Sequence, residues 1–306
     1  RMDDRTLFRY HPEYRADAGV TPVLDWSAWP GPQGGLLGAV EMCNNNGTCR
    51  KFDAGVMCPS YRATRDEQHL TRGRANTLRL ALTGQLPGAL ASDDVQAALD
   101  LCVSCKGCRR ECPTGVDMAR MKIEVMAARA KARGLDGRDK LVAYLPRYAP
   151  LAARLPALFN LRDRIPHAPA LFERLFGLSA RRSLPRWRRD VFAPRETAVG
   201  EARAGEAVLF ADTFNRYHEP ENLHAALRVL TAAGYRVHLP RPADGSARPL
   251  CCGRTYLATG LVEEARAELR RTLAALKPLL DRGVPIVGLE PSCLLTFRDE
   301  ATALLP

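Results

Sequence analysis

The run Cys102-x2-Cys105-x2-Cys108-x3-Cys112-Pro113 constrains this chain more than any other feature. Thiolates are soft, electron-rich ligands for iron, and three of them at steps of three can wrap one cubane cluster. The fourth, followed by proline, is directed to the other cluster in two-cluster ferredoxins. A structural zinc site instead pairs two Cys-x2-Cys units or mixes in histidine, so the register favours iron–sulfur chemistry. A partner motif lies upstream, Cys43-x5-Cys49-x8-Cys58-Pro59, with two departures. Asn46 stands where a second ligand belongs, and the last gap is lengthened from three residues to eight.

Crossed ligation assigns Cys102, Cys105, Cys108 and Cys58 to one [4Fe-4S] cluster. Cys43, Cys49 and Cys112 go to a second, whose fourth ligand is uncertain because an amide is a poor donor to soft iron. That second site is read as a three-iron cluster, a four-iron cluster with a non-cysteine ligand, or a vacant site with structural cysteines. His69, between the motifs, is weighed as a ligand against an ordinary surface or packing role. Between the motifs also runs Arg62 to Asn76, rich in arginine. Its cations either raise the potential of a neighbouring cluster or form a solvated helix face.

The remaining composition bounds the class. The chain has 306 residues, 46% of them hydrophobic, enough for roughly two domains. Nothing approaches 18 consecutive apolar residues, which excludes a membrane-spanning helix, and no export signal is recognisable. Ten cysteines in such a chain point to metal or redox chemistry in a reducing cytoplasm. A net charge of +11, from 45 basic against 34 acidic residues, suggests acidic partners without deciding among them. The Arg-Met-Asp-Asp start and the Leu304-Leu305-Pro306 end predict a piece of something longer.

Along the chain, residues 1–38 read as an irregular, Pro- and Gly-containing connector. Residues 39–135 hold the cysteine motifs, and Asp117 is expected to cap a helix with Met118, Met121, Val125 and Ala128 on its apolar face, stopped by Gly134. Residues 136–204, with many prolines, read as short packed helices forming a linker. From 205 onward strands are expected at 208–210, 235–239 and 285–289. Helices are expected from Pro220 to Gly234 and over about 261–282, the latter with Ala265, Leu269, Leu273, Leu276 and Leu280 on one face. That alternation predicts a parallel α/β layer over 205–306. The fold class is therefore an α-helical two-cluster ferredoxin-like domain followed by an incomplete α/β cysteine-rich domain.

Several stretches also resemble a known family. They are Met42-Cys43-Asn44-Asn45-Asn46-Gly47-Thr48-Cys49-Arg50, Met57-Cys58-Pro59-Ser60-Tyr61, Thr71-Arg72-Gly73-Arg74-Ala75-Asn76, the Cys102–Pro113 run and Val116-Asp117-Met118. Together they are similar to the iron–sulfur half of FAD-linked D-2-hydroxyacid dehydrogenases, which include D-lactate and D-2-hydroxyglutarate dehydrogenases. In that family Asn in place of the middle cysteine looks usual. The resemblance implies a flavin domain fused ahead of residue 1, with the opening Arg1-Met2-Asp3-Asp4-Arg5 just after it and FAD in that missing amino-terminal half. Farther on, Leu250-Cys251-Cys252-Gly253-Arg254 and Glu290-Pro291-Ser292-Cys293 resemble the cysteine-rich (Cys-Cys-Gly) domain of heterodisulfide reductases and anaerobic glycerol-3-phosphate dehydrogenase. There, paired copies of the motif bind an unusual cluster. Here Asp212-Thr213-Phe214 stands where a cysteine belongs, Cys293 is single, and a second copy is missing. Cys251, Cys252 and Cys293 are therefore either metal ligands or redox-inert packing residues.

The leading functional reading is an electron-transfer module of an FAD/iron–sulfur oxidoreductase. It would carry electrons singly from a reduced flavin through 4Fe-4S clusters to a quinone, cytochrome or flavoprotein. An iron–sulfur subunit of a quinone- or heterodisulfide-type reductase is the alternative. Nucleic-acid binding with a structural cluster is a third reading, disfavoured because the basic residues are scattered and no recognition motif is evident. The basic stretch Arg181–Arg189 is either a peripheral contact with an anionic membrane face or a solvated connector. His218 and Glu219 follow the first strand of the last domain, where ligands gather in α/β sheets, and are weighed against a solvated loop. No Gly-rich nucleotide fingerprint or catalytic acid–base pair is evident, so no catalytic residue is assigned to this chain.

Overall fold

A computed structural model describes residues 16, 17, 19–29 and 34–305. The opening segment Arg1–Arg5 lies outside the described residues. About 53% of the chain is helical, with one small mixed sheet. Contacts divide it into two compact units, the first reaching Gly134 and the second spanning Leu135–Leu305.

The first unit is built from helices α1 (Gly35–Glu41), α2 (Pro59–Thr64), α3 (Thr71–Leu82), α4 (Asp93–Leu99), α5 (Gly107–Glu111) and α6 (Met118–Arg133). Helix α3 packs against α1, α4 and α6, and Leu70, Leu78, Val95, Leu99, Met121 and Val125 are fully buried. Asp117 caps α6 as expected, accepting from the Arg120 N–H at 3.1 Å, a contact worth about 1 kcal/mol. Beyond the expected face of α6, Ile123, Glu124 and Ala127 are buried as well. The preceding connector explains the buried carboxylate. Glu124 accepts from the N–H groups of Val23 (2.8 Å) and Leu24 (2.9 Å) and from Trp26 Nε1 (2.7 Å). The described part of that connector is therefore tied down by a buried acid whose oxygens are satisfied.

Gly73 marks the closest approach within the unit. A Cβ there would stand 1.9 Å from the Glu67 carbonyl oxygen, so α3 can lie against that turn only with glycine at this position.

The second unit opens with short helices α7 (Gly137–Ala143), α8 (Leu145–Arg154), α9 (Pro156–Phe159) and α10 (Ala168–Phe176). Several of their leucines face solvent, including Leu151, Leu155, Leu158, Leu171 and Leu175. The sheet follows, with strands β1 (Ala198–Val199), β2 (Gly205–Phe210), β3 (Tyr235–His238) and β4 (Ile286–Gly288) in the order β1-β3-β2-β4. Strands β3, β2 and β4 run parallel, matching the alternation expected for an α/β layer, and β1 adds an antiparallel edge. Around the sheet lie α11 (Thr213–Tyr217), α12 (Pro220–Ala232), α13 (Arg254–Ala258), α14 (Val262–Leu280), α15 (Pro291–Leu295) and α16 (Ala301–Leu304).

Leu209, Leu223, Val237 and Leu239 form one core, and Val208, Leu276 and Val284 another. On α14, Ala265, Leu269 and Leu276 are buried, whereas Leu280, its last residue, is exposed. Glu268 is also buried, which the apolar pattern does not show. It is satisfied by Arg248 at 2.6 Å and Arg271 at 2.9 Å.

Candidate iron–sulfur site

The two cysteine motifs share a backbone. In the downstream motif Ser104 and Lys106 take left-handed conformations, with φ of 54° and 60°, on either side of Cys105. In the upstream motif Asn45 and Gly47, with φ of 63° and 79°, flank Asn46 in the same register. Alternating left-handed residues turn successive N–H groups toward a common centre, a concavity suited to an anion. Asn46 thus occupies the place of Cys105, although its chemistry differs. Its Oδ1 accepts from the Thr48 N–H at 2.9 Å and its Nδ2 donates to Asn44 Oδ1 at 2.5 Å, so the side chain shapes the turn.

Four thiols line one cavity: Cys58 from the upstream motif and Cys102, Cys105 and Cys108 from the downstream one. Two acidic and basic ties bring the motifs together. Glu111 of α5 accepts from the N–H groups of Val56 (2.8 Å) and Met57 (2.9 Å), which fixes the segment leading into Cys58. Lys122 of α6 donates to the carbonyl oxygens of Cys102 (2.6 Å) and Leu99 (3.1 Å), which fixes the start of the downstream loop. Pro59 opens α2 directly after Cys58, where its missing N–H costs nothing.

The surroundings of Cys58 are polar and cationic. Thr71 Oγ1 lies 3.0 Å from its sulfur, and Arg74 Nη1 lies 3.9 Å from it. Arg74 is 2% exposed and is held by the Ala98 carbonyl (Nε, 2.8 Å) and Ser60 Oγ (Nη2, 2.8 Å). Of the two readings of the Arg62–Asn76 stretch, a wholly solvated face does not describe Arg74, whose guanidinium is buried beside a cysteine sulfur.

Burial pushes the Cys108 thiol up to about 12 and the Cys49 thiol to about 11. Iron has to displace those protons as it binds. Burial also opposes ionisation of Cys112. There it is outweighed by Thr114 Oγ1 and by the N–H groups of Val116, Thr114 and Gly115, which hold the thiol below its ordinary value.

Among the described residues no three His, Cys, Asp or Glu side chains converge closely enough to hold one metal ion. Four thiols spread around a cavity suit a cluster better, because each thiolate binds its own iron at a separate corner. Comparison with known proteins agrees: residues 39–116 match the family model for a 4Fe-4S dicluster domain.

Residues 39–116 are thus similar to 4Fe-4S dicluster domains.

The chain as a whole is similar to D-2-hydroxyglutarate dehydrogenase of Pseudomonas putida, with 30% identity over 84% of this chain and 29% of the relative. The Escherichia coli D-2-hydroxyglutarate dehydrogenase is 26% identical over 86% of this chain and 30% of the relative. The iron–sulfur subunit of Escherichia coli glycolate oxidase is 27% identical over 75% of this chain and 52% of its own length. The chain therefore spans about 30% of the length of the dehydrogenases it matches. No solved structure matches it significantly.

Outside the dicluster domain, Cys251, Cys252 and Cys293 are buried in one apolar cluster with Phe210 and Leu250. Cys252 is within hydrogen-bonding reach of both Cys251 and Cys293, and Thr213 contacts Cys251. Thr213 thus supplies a hydroxyl at the position where the resemblance calls for a cysteine. The neighbouring thiol and burial push Cys251 well up, and Cys252 is likewise raised by Cys293 and burial despite its bond with Cys251.

His218 and the basic stretch have structural partners. His218 packs against Trp187 at 4.5 Å between ring centroids and meets the Arg186 carbonyl through Nδ1 at 3.0 Å. In the basic stretch, Arg188 pairs with Asp190 (2.6 Å) and Glu221 (2.7 Å). His69 has a buried Nδ1 without a hydrogen-bond partner. Thr71 and Arg74 lie in the Arg62–Asn76 stretch whose cations the sequence offers as neighbours of a cluster, whereas Glu111 and Lys122 are not singled out there; the local hint for Glu111 is its place inside the Cys108–Cys112 step.

Proposed function

We propose that this chain is the electron-transfer part of a flavin-linked 2-hydroxyacid oxidoreductase. The observation that carries this reading is the single cavity to which Cys58 of one motif and Cys102, Cys105 and Cys108 of the other all contribute. These four would hold one 4Fe-4S cluster. Cys43, Cys49 and Cys112 would hold a second, completed by a ligand that is not cysteine. When bound, such clusters accept and release one electron at a time, whereas a flavin reduced by a hydroxyacid holds two.

The chain's own residues orient and tune those sites. Glu111 and Lys122 fix the loops that present the thiols. Arg74 places a buried positive charge beside the Cys58 sulfur, which favours electron acceptance. The N–H groups after Cys112 stabilise its thiolate. The names of the similar proteins, D-2-hydroxyglutarate dehydrogenase and glycolate oxidase iron-sulfur subunit, support a 2-hydroxyacid as the electron source. Substrate oxidation would take place at FAD in a fused domain, and electrons would leave toward a quinone, cytochrome or flavoprotein.

Iron and acid-labile sulfide, measured on anaerobically prepared protein, test this. About eight of each per chain is the expected result for two four-iron clusters. About four of each would leave the Cys43, Cys49 and Cys112 site without one. Zinc with no sulfide would overturn the proposal.

A further inference from the structure

The second unit contains a cavity that the electron-transfer reading does not use. It lies at the carboxyl ends of β2 and β3, the edge of a parallel sheet where ligands gather. Its volume is about 280 Å³, near the lower end for small-molecule sites. Leu209, Phe210, Leu239 and Leu250 supply apolar walls, Arg216 and Arg241 also line it, and no acidic residue does.

Arg216 is the informative member. Its Nη1 donates to the Phe192 carbonyl at 2.6 Å, while its Nε is buried with no hydrogen-bond partner. Among the described residues no carboxylate pairs with it. Asp212 acts on it through its charge, but its Oδ1 accepts the N–H groups of Phe214 and Asn215, both at 3.0 Å. Asp212 Oδ2 takes Asn215 Nδ2 at 2.8 Å. That carboxylate is spent on capping α11. Burial consequently lowers the Arg216 pKa, as it must for a cation left without a counter-charge. Arg241, an exposed residue, adds a second cation, whose Nη2 donates to the backbone carbonyls of Pro194 and Arg195.

We infer that this cavity is a binding site for a small organic carboxylate with an apolar body. An inorganic anion would leave the apolar walls unused. A neutral molecule such as a quinone would leave the Arg216 guanidinium uncompensated. The inference does not depend on the electron-transfer reading, since none of its residues is a proposed iron ligand.

Sodium benzoate, titrated into the full chain and followed by saturation-transfer NMR, tests it against benzyl alcohol and menadione. Benzoate is expected to bind, and benzyl alcohol at least tenfold more weakly. Arg216→Gln should weaken benzoate at least tenfold. Because that change also releases the Phe192 carbonyl, Ala247→Trp, at the exposed mouth, gives a second block that leaves the core untouched, and it should abolish binding. Equal binding of benzyl alcohol would overturn the inference, as would benzoate binding unchanged in Ala247→Trp. Menadione displacing benzoate from the cavity would overturn it in favour of a quinone site.

Discussion

Four thiols around one cavity of the first unit and three in the second stand in opposite surroundings. Around Cys58, Cys102, Cys105 and Cys108 the thiols line a cavity, Cys105 is exposed, and a buried guanidinium and a hydroxyl lie against the Cys58 sulfur. Around Cys251, Cys252 and Cys293 all three thiols are buried, packed among Phe210, Leu250 and each other. A cluster carries net negative charge and needs N–H groups and cations nearby, and the first environment supplies them. The second supplies chiefly apolar contact, in which a thiol behaves as a small hydrophobe. Cysteine number alone does not separate these roles. Charge and access around the sulfur do.

The sharpest way to break that comparison is a pair of substitutions. Cys58→Ser is expected to remove about four irons per chain and its electron paramagnetic resonance signal, if Cys58 completes the downstream cluster. Cys252→Ser should leave iron content unchanged while costing about 1–3 kcal/mol, because it buries a hydroxyl among apolar groups. Iron analysis beside thermal unfolding reads both effects. Iron lost from Cys252→Ser would move the second group into the class of the first.

A smaller effect is expected at Arg74. Arg74→Met removes the buried charge and leaves the Ala98 carbonyl and Ser60 hydroxyl without their donor, at about 2–4 kcal/mol. The reduction potential of the Cys58 site should fall, because the cation that favours the reduced form is gone. Arg74→Lys keeps a charge and should recover part of the potential. A potential unmoved in Arg74→Met would show that Arg74 is a packing element only.

The smallest effect concerns the loop that leads into Cys251. Asp244 is held down to about 2 by the Ser246 N–H and by Arg271, which also donates to the Pro249 carbonyl. Its folded pKa lies below its ordinary value of 3.8, so its contribution is complete above about pH 4 and is lost as pH falls toward 2. Asp244→Asn should therefore be less stable than the wild type at pH 6, with the gap closing at pH 2. Chemical denaturation at the two pH values checks this. A gap that persists at pH 2 would assign the effect to the loop's hydrogen bonds rather than to the charge.

Much of this molecule is legible in its residues. Asp117 as a helix cap, Gly134 as its stop, the Pro220 helix and three parallel strands follow from local periodicity and capping chemistry, which act over a few residues. That Cys58 lines one cavity with Cys102, Cys105 and Cys108 agrees with the crossed pairing that the spacing and the prolines predict. Glu124 and Glu268 were not legible. Each is a carboxylate inside a helical pattern, and only partners brought from elsewhere, Trp26 for one and Arg248 for the other, make burial tolerable.

The sequence by itself determined the kind of chemistry, since thiolates at fixed steps before proline have few uses other than iron–sulfur ligation. It also determined the equivalence of Asn46 and Cys105, which the backbone repeats residue for residue. The tertiary structure decided which cation reaches a sulfur, which acids tie the two motifs together, and that Thr213 meets the buried thiols of the second unit. The division has a physical reason. Ligand spacing and capping are local and are written in consecutive residues, whereas burial, charge compensation and cavity walls depend on groups that only the folded chain brings together.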